Sequence, residues 1–266
     1  MEQQSPRPRA LVTGASSGIG RAFAGRLAAD GYDLVVVARR RERLEELAGV
    51  LRPGGVRVEV VAADLTRRED LREVEARAGD IDLLVHGAGF GGYMPFVQLD
   101  PDLAENLIGL QLVAATRLAR AALPGMISRR SGAIVLVSSM LAFSESIPSP
   151  PLPPRATYVA TKAFLNAFAE LLSSELAGTG VQVQALCPAV VRTEFHQLMG
   201  MDPDRLLVPP MSADEVVSAS LAGLALGEVI TLPAVEDGEL VAAYQYARTR
   251  TFENGRPNRL AARYRS

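Results

Sequence analysis

Two hydrophobic rhythms alternate along the chain. Short β-branched and aliphatic runs at Ala10–Thr13, Asp33–Ala38, Val56–Ala62, Asp82–His86, Ala133–Ser138 and Val181–Cys187 are apolar at successive positions, as in strands buried on both faces. Between them lie segments whose apolar residues recur three and four positions apart, the spacing of amphipathic helices. The alternation predicts a mainly parallel sheet with crossover helices on both faces, a single doubly wound α/β domain of the Rossmann type. Helix starts are marked by Thr66 with Glu69 and Ser212 with Glu215, both spaced as capping boxes, and by Asp100 followed by Pro101.

Two stretches interrupt the rhythm. Ser144–Arg155, SESIPSPPLPPR, holds five prolines and predicts an extended, semi-rigid loop. From Arg248 onward the chain carries six arginines and reads as a solvated tail, partly disordered, or as a subunit contact. At 266 residues and 48% hydrophobic content one large core is expected. The expected layout is a flexible lead over 1–8, one domain over 9–247 and a tail over 248–266.

Charge and composition narrow the function. A formal net charge of -2 gives no broad positive field for nucleic acid or an anionic membrane. No apolar run approaches a membrane span, and the first residues lack the apolar centre of a signal peptide, so a cytoplasmic protein is expected. The single cysteine, Cys187, lies in an apolar run and reads as core. Of the 28 basic residues only Lys162 is lysine. A chain that otherwise uses arginine throughout keeps its one lysine where a compact, titratable ammonium is of use.

Directly after the first strand comes Thr13-Gly14-Ala15-Ser16-Ser17-Gly18-Ile19-Gly20, with a helix expected to begin near Gly18. Glycines there allow a tight turn and close approach to a pyrophosphate, and the helix N-terminus offers unpaired N–H groups. The same string fits a hydrolase nucleophile elbow at Ser16, but that arrangement needs a suitably placed histidine, and the chain has only His86 and His196. At the end of the second strand, where an acidic residue would meet the ribose hydroxyls of NAD, stand Arg39 and Arg40; these suit a 2′-phosphate and favour NADP(H), with NAD(H) the alternative. Asp64, beside Leu65, can accept from adenine or help to cap the next helix.

Tyr158 and Lys162 are four residues apart on a helical pattern and leave one face. A phenol near pKa ~10 is a poor acid at neutral pH, and an adjacent ammonium lowers it by about 1 to 3 units. Tyr158 can then exchange a proton with a substrate oxygen. Ser139 follows the fifth strand at the carboxyl edge of the sheet, where open α/β folds bind ligands.

These motifs, from Thr13 to about Thr193, resemble those of the short-chain dehydrogenase/reductase family. The resemblance implies a seven-stranded sheet ending in Val229–Leu232, catalytic roles for Ser139, Tyr158 and Lys162, and a lysine that also holds the nicotinamide ribose. It implies nucleotide contacts from Gly14, Ser16, Ser17, Gly18, Ile19, Gly20, Asp64 and Leu65, from Gly87, Ala88 and Gly89, and from Pro188, Val191 and Thr193. It also implies a homodimer or homotetramer built through the long helices. Four departures stand out. His86-Gly87-Ala88-Gly89 replaces Asn-Asn-Ala-Gly, and a hydrogen-bonded structural histidine is expected. Gln111 takes the place of the helix asparagine that helps to hold a relay water, so a relay there would work through the longer amide or through the backbone at a local bulge. Ala189 replaces a common glycine. The fourth is the proline-rich loop, which separates Ser139 from Tyr158 by more than the family pattern.

With Ile147 and Leu152, that loop would wall the cleft for a bulky hydrophobic substrate. Residues 195–212, with Met199, Met201 and Met211, read as a substrate lid. The expected activity is hydride transfer between NADP(H) and a small-molecule carbonyl or alcohol. A non-redox enzyme on the same fold (dehydratase, epimerase or cyclase) and a nucleotide-binding regulatory protein are the alternatives.

Overall fold

Strand β1 (Arg9–Thr13) is the centre from which the sheet grows in both directions. In the computed structural model, which describes residues 7–150, 152–195, 209–255 and 259–265, β1 pairs in parallel with β2 (Asp33–Ala38) and with β4 (Leu83–His86). β3 (Val58–Ala62) adds outside β2, while β5 (Gly132–Val137), β6 (Val181–Leu186) and β7 (Ile230–Thr231) continue beyond β4. The resulting order is β3-β2-β1-β4-β5-β6-β7, all seven strands parallel. The strand order therefore reverses between β1 and β4, and ligands of such sheets bind outside the carboxyl ends at that switch point.

Each crossover is helical: α1 (Gly18–Ala29), α2 (Arg41–Leu51), α3 (Arg68–Glu75), α4 (Pro101–Ile108) continuing into α5 (Ala115–Arg129), α6 (Ala156–Glu175) and α7 (Ala213–Leu226). Phe23 and Leu27 of α1, Leu44 and Leu47 of α2, and Val216 and Val217 of α7 bury against the β1, β2 and β4 side chains in one cluster. The polar face of each helix stays outward, as its spacing predicts. Asp100 caps α4 through the amides of Asp102 and Leu103, and Ser212 with Glu215 forms the reciprocal capping box of α7.

The expected box at Thr66 does not form. Asp64 lies two residues upstream, and its Oδ1 accepts from both the Thr66 amide (3.1 Å) and the Thr66 hydroxyl (2.8 Å), so the threonine is spent on an Asx turn before α3. Arg67 occupies the N-cap position without a side-chain cap.

The chain divides into two compact units, the first ending at Pro233 and the second beginning at Ala234. Within the second, α8 (Glu239–Gly255) runs through position 248, so the first residues of the expected tail are helical. Asp237 accepts from the Glu239 amide at its start, and the segment is rich in alanine, arginine and glutamate, which favour helix. His196, Met199 and Met201 lie outside the described residues, and so does most of the segment expected as a lid. Met211 is described: it bridges to Val191 in parallel pairing.

Candidate active site

The loop from Thr13 to Gly20 joins β1 to α1 at the switch point. Gly14 has φ +72, and a Cβ there would stand 2.7 Å from the Gly87 carbonyl oxygen, so the loop is seated on the turn after β4. At Gly20 a Cβ would meet the Gly14 carbonyl oxygen at 2.5 Å, so only glycine lets α1 approach the strand end this closely. Ser17 stands at the N-cap of α1 without a side-chain bond to the helix amides, and the first turn holds no acidic residue. Its amides and the positive end of its dipole are therefore left for an anion. The residues present fit a dinucleotide.

Thr13 fastens the two loops together. Its Oγ1 accepts from the amides of Gly87 and Ala88, both at 3.1 Å, and so gives its one proton to Nδ1 of His86 at 3.2 Å. Nε2–H of His86 then donates to the Leu110 carbonyl at 3.1 Å. His86 is fully buried, and burial, helped by the nearby Lys162 charge, pulls its pKa down to about 4. It is a neutral structural histidine, as expected.

At the adenine end the two arginines part company. Arg40 reaches across the loop: Nη2 donates to Ser16 Oγ and to Ser17 Oγ, both at 3.0 Å, and Nη1 pairs with Glu194 at 3.0 Å. Arg39 is exposed and makes no hydrogen bond or ion pair among the described residues. Arg43, which the sequence reading passed over, joins Glu194 from the first turn of α2. Leu65 is buried, and Asp64 is turned toward Thr66 as described above.

Ser139, Tyr158 and Lys162 come together at the carboxyl edge, all nearly buried. Ser138 Oγ donates to the Lys162 carbonyl at 3.0 Å and ties the end of β5 to α6. Ser139 Oγ accepts from the Leu141 amide at 3.1 Å and hydrogen-bonds Tyr158. Burial raises the Tyr158 pKa above its ordinary value, while hydrogen bonds from Tyr93 and Ser139 pull it back in part. The expected lowering by Lys162 is therefore not realised here. The ammonium lies 5.6 Å from the ring centroid and is engaged elsewhere, donating to the Val137 carbonyl at 2.8 Å and to Gln111 Oε1 at 2.9 Å. Burial brings the Lys162 pKa down to about 7.

Gln111 sits in a π-helical turn, Gly109–Ala114, between α4 and α5. The wider turn faces the amide inward. Its Nε2 is the one buried side-chain nitrogen or oxygen without a hydrogen-bond partner among the described residues, and a Cβ on Gly89 would lie 2.5 Å from it. Thr193 packs its methyl group beside Gly18, and Pro188 accepts from the Met140 amide at 2.9 Å, so the segment after β6 closes over the same edge. Cys187 is buried, its thiol pushed up to about 12 by burial, and is core as expected.

Two further features were missed. Tyr93 meets the Tyr158 ring edge-on at 4.9 Å between centroids, and Phe195 closes the triangle at 5.9 Å from Tyr158, giving an aromatic wall beside the phenol. Arg155, at the N-cap position of α6, turns its buried guanidinium into the proline-rich loop. There Nε donates to Ser144 Oγ (3.0 Å), Nη1 to Pro153 O (3.1 Å), and Nη2 to Ser144 O (2.8 Å) and Ile147 O (2.9 Å). Ile147 itself is exposed. The glycine motif signalled neither feature, although Tyr93 lies in the glycine-rich turn that begins at Gly87.

A parallel sheet with a glycine phosphate loop at its switch point and a buried Ser, Tyr and Lys at its carboxyl edge defines a nicotinamide-dependent oxidoreductase. Residues 8–203 match the short chain dehydrogenase family model. The chain belongs to the short-chain dehydrogenase/reductase family, enzymes acting on alcohol and carbonyl groups. An uncharacterised oxidoreductase of Myxococcus xanthus is 38% identical over 190 residues, 70% of this chain and 73% of that protein. A short-chain dehydrogenase from Sphingobium yanoikuyae, solved in complex with NADPH, superposes with a TM-score of 0.91 at 39% identity, covering 97% of this chain and 100% of that one. The bulky-bulky ketone specific alcohol dehydrogenase from Comamonas testosteroni gives 0.88 at 34% identity, over 98% and 100%. No helix of the described residues is long and apolar enough to cross a membrane.

Proposed function

We propose that the chain is an NADP(H)-dependent ketone reductase or alcohol dehydrogenase for a bulky hydrophobic substrate. The observation that carries this reading is the buried convergence of Ser139, Tyr158 and Lys162 beside a cradle that fits a dinucleotide. The nicotinamide, when bound, supplies or accepts the hydride. Tyr158 gives its proton to the substrate oxygen in reduction and takes it back in oxidation, and Ser139 donates to the same oxygen and orients it. Lys162, charged in part at neutral pH, would hold the nicotinamide ribose and donates to the amide oxygen of Gln111, the relay member in this reading.

The arginines at the adenine end support NADP(H) over NAD(H), and Arg40 is better placed than Arg39 to receive a 2′-phosphate. The aromatic wall of Tyr93 and Phe195, the proline-rich loop with Ile147 and Leu152, and the likeness to a dehydrogenase named for bulky ketones support a large apolar substrate. Exposed Ile108, Val113 and Ile127 on α4, the π turn and α5 support assembly into a homodimer or homotetramer through the long helices. A cytoplasmic setting goes with the single buried cysteine.

The test is oxidation of NADPH, with NADH in parallel, against ketones of graded bulk. Tyr158→Phe is expected to reduce turnover by roughly 10²- to 10⁴-fold while still binding NADPH. Tight NADPH binding with no consumption across the panel would instead favour the non-redox alternative.

A further inference from the structure

Glu194 places a carboxylate against two guanidiniums at the mouth of the phosphate loop. One oxygen pairs with Arg40 at 3.0 Å and the other with Arg43, while Arg40 also donates to Ser16 and Ser17 of the loop. Four parts of the fold converge here: the β1–α1 loop, the end of β2, the first turn of α2, and the segment after β6 that carries Thr193 beside Gly18. All three charged side chains are between about one third and two fifths exposed, so a solute can reach them: 39% for Arg40, 41% for Arg43 and 35% for Glu194. The carboxylate is held ionised below its ordinary range, chiefly by the hydrogen bonds from Arg43 and Arg40.

We propose that Glu194 is an intrachain stand-in for the ribose 2′-phosphate: it neutralises Arg40 and Arg43 in the free protein and is displaced when NADP(H) binds. This rests on the NADP(H) reading above and adds two residues to it. Arg43 becomes the second phosphate ligand, and Glu194 becomes the residue that limits the preference. The charges explain the exchange. Two guanidiniums facing one carboxylate keep an excess of one positive charge. A phosphate monoester brings about −1.5 to −2 charges and three acceptor oxygens, and so matches the arginine pair better than a carboxylate does. With both anions present the negative charge would exceed the positive, so Glu194 must leave. NAD(H), which has only a hydroxyl at that position, makes no such demand and leaves the carboxylate in place.

The test is equilibrium binding to the full chain of NADPH, NADH, 2′,5′-ADP and 5′-AMP, followed by NADPH fluorescence and by calorimetry, with no turnover required. Glu194→Gln is expected to tighten NADPH and 2′,5′-ADP by roughly 3- to 10-fold and to change NADH and 5′-AMP by less than about twofold, the range for part-exposed ion pairs. Arg43→Gln is expected to weaken the two 2′-phosphorylated ligands by about tenfold and to spare the other two. If the native chain favours NADPH but Glu194→Gln leaves it unchanged, weakens it, or tightens all four ligands equally, the displacement is wrong while the cofactor reading stands. If the native chain binds 2′,5′-ADP no better than 5′-AMP, the NADP(H) reading itself fails.

Discussion

Arg155→Met removes a buried guanidinium while keeping most of the side-chain volume. Four hydrogen bonds are lost, and three carbonyls and one hydroxyl of the proline-rich loop are left facing an apolar side chain. At roughly 1 kcal/mol net for each bond the loss is about 4 kcal/mol, and the desolvation cost of the missing charge offsets part of it, leaving about 2–4 kcal/mol. The acceptors all lie between Ser144 and Pro153, so this energy belongs to opening of the loop more than to unfolding of the sheet. Because the Val159 amide bonds the Arg155 backbone carbonyl at 2.9 Å, the first turn of α6 survives the change, and with it the position of Tyr158. Hydrogen exchange resolved by peptide is the direct assay. The Ile147 amide, which donates to Ser144 O at 3.1 Å, should exchange about 30-fold faster or more, while β5 and α6 beyond the first turn stay protected. Arg155→Lys should fall between, since three donors on one nitrogen cannot span acceptors at both ends of the loop. KM for a bulky ketone should rise at least several-fold against a small one, with NADPH affinity unchanged. Native-like protection of residues 144–150 in Arg155→Met would refute the reasoning outright.

Three further expectations can be checked independently. His86 has its folded pKa lowered to about 4 against an ordinary 6.5, so the unfolded chain binds the extra proton first. Stability is complete above pH ~6.5 and declines toward pH ~4 by about 3 kcal/mol more than in His86→Asn, and equal pH slopes in urea titrations would contradict it. Gly20→Ala puts a Cβ 2.5 Å from a backbone oxygen that cannot move aside, so NADPH should bind at least tenfold more weakly, with a lowered Tm. Wild-type affinity in that variant would show that the loop yields. Tyr93→Phe removes a hydrogen bond that favours the ionised Tyr158, so the basic limb of the kcat profile should move to higher pH. A downward shift would mean that Tyr93 acts in some other way.

The strand–helix rhythm, the glycine loop and the Tyr158–Lys162 face were legible because each depends on local spacing alone. Period-two and period-3.6 patterns fix which residues are buried before any tertiary contact exists, and i,i+4 spacing fixes a common face. Arg155 was illegible for the opposite reason. Its acceptors are backbone carbonyls, which every residue has, so nothing but the route of the loop distinguishes it from the other arginines. Thr66 shows how local rules compete: the capping-box spacing is real, but the aspartate two residues earlier takes the hydroxyl first. Tyr93 and Glu194 act across elements far apart in sequence, and their partners emerge only once the β4 and β6 turns meet at one edge. The basic run at Arg39–Arg40–Arg41 is visible in the sequence, but that Arg40 and Arg43, and not Arg39, meet at Glu194 depends on which way α2 begins.

The departures from the family pattern explain one another. His86, in place of asparagine, has a second ring nitrogen, and it uses both: one to receive the Thr13 proton that locks the Gly14 and Gly87 loops, the other to hold the Leu110 carbonyl. A π turn leaves a carbonyl outside the regular helical ladder, so it needs a donor from elsewhere, and a π turn over Gly109–Ala114 is what this chain has. That turn aims Gln111 inward, and the longer amide reaches Lys162 directly at 2.9 Å. The histidine and the glutamine are thus the two ends of one device that sets Lys162 between the Val137 carbonyl and an amide oxygen. The device leaves Nε2 of Gln111 buried beside Gly89 without a hydrogen-bond partner among the described residues, where a wholly unpaired donor costs about 1–3 kcal/mol.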